Sequence, residues 1–314
     1  MTNILRVSTK DMSREEWLVR RKKTIGGSDA AAIVGLSAYA SPYSVWADKT
    51  NRVPDKPDSE AMRQGRDLED YVARRFMEQT GRRVRRENAM LYNPLYPYAH
   101  ADVDRMIIGE DAGLECKTTS SLDLRQFRGV EFPEKYYAQC VHYMAVTGAK
   151  RWYLAVLVFG RGFFVYVLER DGAEIDALMA AEASFWKNVE EDIPPSADGT
   201  EATSETLQVL YSESDGSSVE LYGRDRLLDE YFRLRGQRDE IDDRIAQIEN
   251  TIKDDLGTAE RGACGDYSVS WKSQQRKTFA AKAFAADHPE IDLAKYYSVT
   301  VCRPFKVALK KNEQ

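Results

Sequence analysis

Cysteine and histidine are scarce in this 314-residue chain, and their placement excludes several chemistries at once. The four cysteines, Cys116, Cys140, Cys264 and Cys302, are scattered, with no Cys-x-x-Cys pair. That pattern argues against a zinc or iron–sulfur centre and fits reduced thiols in a cytoplasm. Three histidines, at 100, 142 and 288, leave little material for a His-based metal site or a Ser-His-Asp hydrolase. No run of eighteen apolar residues occurs, so no membrane-spanning helix is expected. The opening MTNILRVSTKDMSREEW has no apolar stretch followed by a cleavage site, which makes the cytoplasm the expected location. Repeats and low-complexity tracts are also missing. An apolar fraction of 43% in a chain this long is enough for one large or two small domains.

The net charge of −6 looks wrong for a nucleic-acid enzyme, but its distribution matters more than its sum. Between 171 and 220 there are thirteen Asp and Glu against one Lys, so the remainder of the chain carries an excess of positive charge. Residues 61–90 hold eight arginines, and 20–23 read Arg-Arg-Lys-Lys. Each cluster suits a solvated charged face, and together they also allow a basic channel inside an acidic shell.

Periodicity and capping signals give a coarse map. Ser13 with Glu16 three residues on predicts a helix over 13–24. A second helix follows over 30–34, opening on Ser28 or Asp29, where free N–H groups and basic neighbours would favour an anion, or where Ser28 is simply a cap. Leu68, Val72, Phe76 and Met77 form the apolar side of a helix over 60–80, with Glu69 at its border. Strands are expected over 82–92, 99–108 and 113–117, then a helix over 133–148. A buried hairpin (152–159 and 162–168) and a helix over 174–191 complete this part. Leu227, Leu234, Ile241, Ile245, Ile248, Ile252 and Leu256 form the apolar seam of a long helix, packed on the body or against a partner helix. A strand over 267–272, a short helix near 280–287 and a strand over 297–307 finish the chain.

One stretch carries chemistry. Asp104 is separated by ten residues from Glu115-Cys116-Lys117, with a turn-forming Gly-Glu-Asp-Ala-Gly between the two. Side chains i and i+2 share a strand face, so Glu115 and Lys117 point the same way, and a hairpin brings Asp104 alongside. Two carboxylates suit hard Mg²⁺ and leave positions for water and phosphate. A nearby Lys could position or deprotonate the attacking water. The same spacing also suits a solvated, ion-paired hairpin.

The company of this motif is informative. GGSDAAAI (26–33), Gly65-x-x-Leu68-Glu69, HADVDR (100–105), GLECKT (113–118) and YYAQCVHYMAVTG (136–148) follow one another in that order. Together they resemble the YqaJ-type viral recombinase group, related to the exonuclease of phage lambda within the PD-(D/E)xK nuclease superfamily. The resemblance runs over about residues 13–190, and the last third resembles an extension carried by some YqaJ-type proteins. It implies an α/β fold with a central mixed β-sheet flanked by helices. The expected organisation is a PD-(D/E)xK exonuclease core over 1–192, an acidic linker or loop over 193–218, and a helical and β extension over 219–314 packed on the core.

The resemblance also implies roles. Asp104 and Glu115 match metal-ligating carboxylates, with the backbone carbonyl of Cys116 as a further ligand. Lys117 matches the lysine that orients the water nucleophile, and Glu69 matches an additional acid near the metals. Gln139 matches a glutamine that arranges the active site, with Tyr136 in the same motif as support. Arg21 and Ser28 match residues that hold the DNA 5′-phosphate, although Gly-Gly-Ser-Asp departs from the lambda enzyme's local sequence. Asp102 reads as a structural neighbour, not a ligand. The implied cofactor is Mg²⁺, with Mn²⁺ as a possible substitute. The implied activity is a 5′-to-3′ exonuclease on double-stranded DNA ends that leaves a 3′ tail for a single-strand annealing protein. The implied assembly is a homotrimer ring. An endonuclease or strand-trimming nuclease of the same superfamily, or a non-catalytic DNA-end-binding scaffold, are the alternatives.

Overall fold

The computed structural model describes residues 3–55, 57–120, 127, 131–298 and 302–309. Two compact units divide the chain, one ending at Ser212 and the other starting at Glu213.

The first unit is built on a mixed sheet. Its strands, in spatial order, are β2 (Val84–Arg86), β5 (Arg105–Ile107), β6 (Ala112–Thr119), β7 (Arg151–Val158) and β8 (Gly162–Glu169). Only β6 and β7 run parallel, and the crossover that a parallel pair requires carries helix α5 (Glu134–Thr147). Strand alternation then sorts the side chains. Leu114, Tyr153 and Ala155 turn to one face, against Val72 and Phe76 of α4 (Glu60–Thr80). Trp152 turns to the other, against Cys140, Tyr143 and Met144 of α5. Both faces are therefore covered by helices, the α/β arrangement expected from the sequence.

Trp152 reaches across to its parallel partner Gly113. A β-carbon on Gly113 would lie 2.3 Å from the Trp152 ring. Gly113→Ala is therefore expected to destabilise this unit by about 1–3 kcal/mol through overpacking. Thermal unfolding measures this directly, and an unchanged midpoint would mean that the ring has room to retreat.

A smaller antiparallel sheet orders β1 (Leu5–Ser8), β3 (Ala89–Tyr92) and β4 (Ala101–Asp102). The single strands expected over 82–92 and 99–108 are thus each divided between two sheets. In the second case the break falls at Val103-Asp104, where the Asp104 carbonyl accepts the Arg105 guanidinium at 2.5 Å. Helix α6 (Gly172–Glu190), capped by Asp171, lies against α5. The two are joined by a fully buried ion pair, His142 Nδ1 to Glu182 Oε1 at 2.8 Å, while His142 Nε2 faces the His100 carbonyl at 2.8 Å. The hairpin β7–β8 is less buried than its composition suggests, since most of β8 is half-exposed.

Two further expectations change. Residues 193–218 are not all linker, because helix α7 (Glu201–Leu210) forms within them. Its Ala202, Thr203 and Thr206 are buried against α3 (Pro42–Lys49), and Thr203 Oγ1 donates to Ser41 Oγ at 2.7 Å. Threonines that find partners inside make a polar segment foldable. The strand expected over 297–307 is not formed by the described residues there, and 299–301 lie outside them. Pro304 removes a ladder donor from that stretch.

The second unit contains helix α8 (Asp225–Leu256), the hairpin β9 (Arg261–Cys264) and β10 (Tyr267–Ser270), and α9 (Ala281–Asp287). No residue of α8 is buried. Among the described residues, no helix is long and apolar enough to cross a membrane.

Candidate active site

The β5–β6 register places Arg105 opposite Leu114, and therefore Asp104 beside Glu115 and Cys116. The Cys116 N–H donates to Asp104 Oδ2 at 2.7 Å. Glu115 is buried, and its Oε1 receives Gln139 Nε2 at 2.9 Å and the Lys117 ammonium at 2.5 Å. Glu115 Oε2 is also buried and has no hydrogen-bond partner among the described residues. Gln139 donates to the Tyr143 hydroxyl as well, at 2.9 Å, and the Tyr136 ring centre lies 5.7 Å from Lys117 Nζ. The sequence-predicted Asp104, Glu115, Lys117, Gln139 and Tyr136 thus share one neighbourhood. The side chain of Cys116 lies on the opposite sheet face with Leu114, and burial pushes its thiol well up.

Electrostatics follow from this crowding. Burial raises the Asp104 pKa well above the ordinary carboxylate range, and the Glu115 and Glu69 charges push it the same way. Burial alone would lower Lys117, but the Glu115 and Asp104 carboxylates outweigh it and hold the side chain as ammonium. Glu69 faces the same cleft, yet its carboxylate is engaged by Arg105. That buried guanidinium also donates to Asp70 at 2.6 Å. Sequence reading gave Arg105 no role, although a basic residue following two acids in HADVDR is a signal for pairing. The cleft holds about 200 Å³ and is lined by Trp17, Glu69, Asp102, Asp104 and Arg105 among others. Asp102 stands 3.6 Å from His100 Nε2.

Arg21 ends α1 (Arg14–Arg21), a helix with the expected Ser13/Glu16 capping box. Its Nη2 donates to Ser28 Oγ at 2.7 Å, so the two residues expected at the 5′-phosphate are in contact. The reading of Ser28 as a cap does not. Helix α2 (Gly27–Ile33) starts on Gly26, whose N–H is taken by Asp29 Oδ2 at 3.0 Å. Asp29 was missed as more than an alternative cap, and Lys49 was missed altogether. Lys49 Nζ lies inside, 2.6 Å from Asp29 Oδ2 and 3.1 Å from the Arg21 carbonyl, while Asp29 Oδ1 meets Arg21 at 3.2 Å. Burial would raise the Asp29 pKa, but Lys49 and Arg21 hold it well below the carboxylate range. An acid inside the Gly-Ala-rich run of α2 signals such a partner, and nothing local identifies it as Lys49.

The arrangement connects to the carboxylates through Gly27. A β-carbon there would lie 2.5 Å from the Tyr143 ring and 3.1 Å from Gln139 Cγ. Only glycine lets the start of α2 press on the glutamine that holds Glu115.

These residues fit a hard divalent cation. The partnerless Glu115 Oε2 and a neighbouring carboxylate whose charge is opposed by its surroundings are what such an ion would satisfy. Among the described residues, no three Asp, Glu, His or Cys side chains form a ready-made cage. An ion here would complete its sphere with main-chain oxygen, water or substrate.

Fold and side chains together define a helix-flanked mixed sheet with an acid–acid–lysine centre at its middle strand. Residues 16–150 match the model of the YqaJ-like viral recombinase domain. The chain is 38% identical over 287 residues to YqaJ of Bacillus subtilis (strain 168), covering 90% of each. It belongs to the YqaJ-like viral recombinase family. Among solved structures, an alkaline exonuclease (LHK-Exo) from Laribacter hongkongensis overlaps 57% of this chain and 94% of its own at 19% identity and TM-score 0.48. A phage-related exonuclease from Haemophilus somnus 129PT overlaps 54% and 96% at 10% identity and TM-score 0.43.

Proposed function

We propose that this protein is a PD-(D/E)xK-type deoxyribonuclease that degrades one strand of duplex DNA from its 5′ end and leaves a 3′ single-stranded tail. The observation that carries this reading is the convergence of Asp104, Glu115 and Lys117 on adjoining strands in a recombinase-family chain. Asp104, Glu115 and the Cys116 carbonyl would hold Mg²⁺, or Mn²⁺ in its place. When bound, the ion supplies Lewis-acid stabilisation of the negative charge that phosphodiester hydrolysis develops. Lys117 Nζ, held at Glu115 Oε1, donates to and orients the attacking water. Gln139 fixes the Glu115 rotamer through Oε1 and leaves Oε2 to the cation. Glu69, tied to Arg105, adds negative charge at the cleft wall. Arg21 and Ser28 bind the terminal 5′-phosphate, and Tyr136 supports Lys117. The product tail is passed to a single-strand annealing protein in the cytoplasm of a bacterial host. The working assembly is a homotrimer ring around DNA.

The test is digestion of linear duplex DNA with 5′-phosphates, labelled at each 3′ end in turn, with Mg²⁺ or EDTA. Metal-dependent release of mononucleotides, with the 3′ label leaving last, is expected. Early loss of that label reverses the polarity. Internal fragments favour an endonuclease, and tight end binding without cleavage favours a scaffold. Arg21→Ala should lower the rate ratio between 5′-phosphorylated and unphosphorylated ends by about tenfold, the worth of a charged hydrogen bond. A ratio equal to that of the parent protein removes Arg21 from this role.

A further inference from the structure

A buried lysine stands behind Arg21. Lys49 is the last residue of α3, and its side chain is fully enclosed, a place lysine takes almost only when paired. Its Nζ lies 2.6 Å from Asp29 Oδ2 and donates to the Arg21 carbonyl at 3.1 Å. Asp29, itself buried, therefore stands between two cations, with Arg21 Nη2 3.2 Å from its Oδ1. The lysine contact is the closer. Burial pushes the Asp29 pKa up, and of the influences that bring it down Lys49 is the largest, ahead of Arg21. Asp29 in turn has the largest hold of any acid on Arg21, ahead of Asp48 and Asp102. Asp48 is itself taken by Lys22 at 3.4 Å.

On the reading of Arg21 and Ser28 as the 5′-phosphate anchor, we propose that Lys49 is a positioning residue for that phosphate: it neutralises Asp29 from the interior and so leaves the Arg21 guanidinium its positive charge for the DNA end. The charge balance shows why. Arg21 and Asp29 alone cancel, and a neutral pair offers an anion little. With Lys49 the three carry one net positive charge, and Lys49, being enclosed, cannot deliver it to a ligand itself. The geometry agrees. Both contacts of Arg21, to Ser28 and to Asp29, use Nη2, so neither engages the Nη1 or Nε N–H groups. Ser28 Oγ accepts the guanidinium, which leaves its own O–H to donate. Recognition of a phosphate by a planar guanidinium needs a fixed orientation as well as a charge. Lys49 contributes to both, because it also holds the carbonyl of Arg21, the residue that ends α1. Three helices, α1, α2 and α3, thus supply the contact, the acid that orients it and the lysine that offsets the acid.

The test measures binding of one duplex, with and without 5′-phosphates, by the full chain in EDTA, so that the readout is independent of cleavage. The parent protein should prefer the phosphorylated duplex, and Arg21→Ala should lower that preference by about tenfold. Lys49→Gln keeps donors for Asp29 and for the Arg21 carbonyl and removes only the charge. It should lower the preference by a similar factor, about tenfold. Adding Asp29→Asn to Lys49→Gln should return most of the loss, since no buried acid is then left to claim Arg21. A lysine that merely braced three helices would show no such return. Should Lys49→Gln alone not fold, the double variant, which buries no unpaired charge, decides: a preference close to that of the parent is expected, and its loss overturns the proposal. A parent-like preference in Lys49→Gln, beside a lowered one in Arg21→Ala, removes Lys49 and leaves the anchor standing. A loss that Asp29→Asn does not return removes Lys49 as well. A parent protein without the preference, or an Arg21→Ala variant equal to it, removes anchor and proposal together.

Discussion

Asp104→Asn should lose DNA hydrolysis by a thousandfold or more, about 4 kcal/mol of transition-state stabilisation, yet melt no lower than the parent protein. The two effects have one origin. Asp104 is a buried carboxylate whose charge is opposed by desolvation and by Glu115 and Glu69. Asparagine keeps an oxygen for the Cys116 N–H and leaves the Glu115–Lys117 pair intact, but it cannot offer a charged oxygen to a divalent cation. A carboxyl whose pKa is raised in the folded state lowers stability once the pH exceeds its unfolded value of about 3.9. The stability gain should therefore appear at neutral pH in EDTA and vanish in acid. Cleavage rates, DNA binding and unfolding midpoints at two pH values decide the matter. A variant that loses both activity and several degrees of stability would make Asp104 a structural residue.

The second large effect is expected far from any substrate. His142 has an acceptor at each ring nitrogen, the Glu182 carboxylate and the His100 carbonyl, so both nitrogens carry protons and the ring is an imidazolium. Burial opposes that charge, but Glu182 outweighs it, and the His142 pKa is raised. Removing one partner leaves the other charge buried alone. Glu182→Ala should destabilise the first unit by about 3–5 kcal/mol, a fall in midpoint on the order of 10 °C. The double replacement His142→Leu with Glu182→Met should recover most of it, because an apolar pair of similar volume avoids both desolvation penalties. The pH dependence has a definite sign. Stabilisation by a His with a raised pKa is complete below its unfolded value of about 6.5 and is lost as pH rises through the folded value. The parent midpoint should fall across that window, and the double variant should lack this component. Parallel pH profiles for the two proteins would refute the ion-pair account.

Local rules carried much of this molecule. The Ser13/Glu16 box, the 60–80 helix, the Gly148 terminus of α5 and the alternation that turns Glu115 and Lys117 together all depend on neighbours in sequence. The failures depend on partners distant in sequence. Lys49 lies twenty residues from Asp29 on another helix, and no spacing rule joins them. The strands around Asp104 break because β4 pairs with β3 in one sheet while β5 pairs with β2 and β6 in the other, a partition that no local pattern encodes. Helix α7 looked like linker because its buried face is made of alanine and threonine instead of large apolar residues. The candidate site was legible because its motif is local on β6, whereas the Arg105–Glu69 contact and the Asp29–Lys49 pair are tertiary.

Gly27 makes the centre a gauge. A β-carbon on it would collide with Tyr143 and crowd Gln139, and Gln139 donates to Glu115, so close packing and one hydrogen bond set the span from Ser28, the next residue, to the carboxylates. On the proposed reading, that span determines how far from its captured end a strand is cut, and the unit of product is measured out by a missing methyl group.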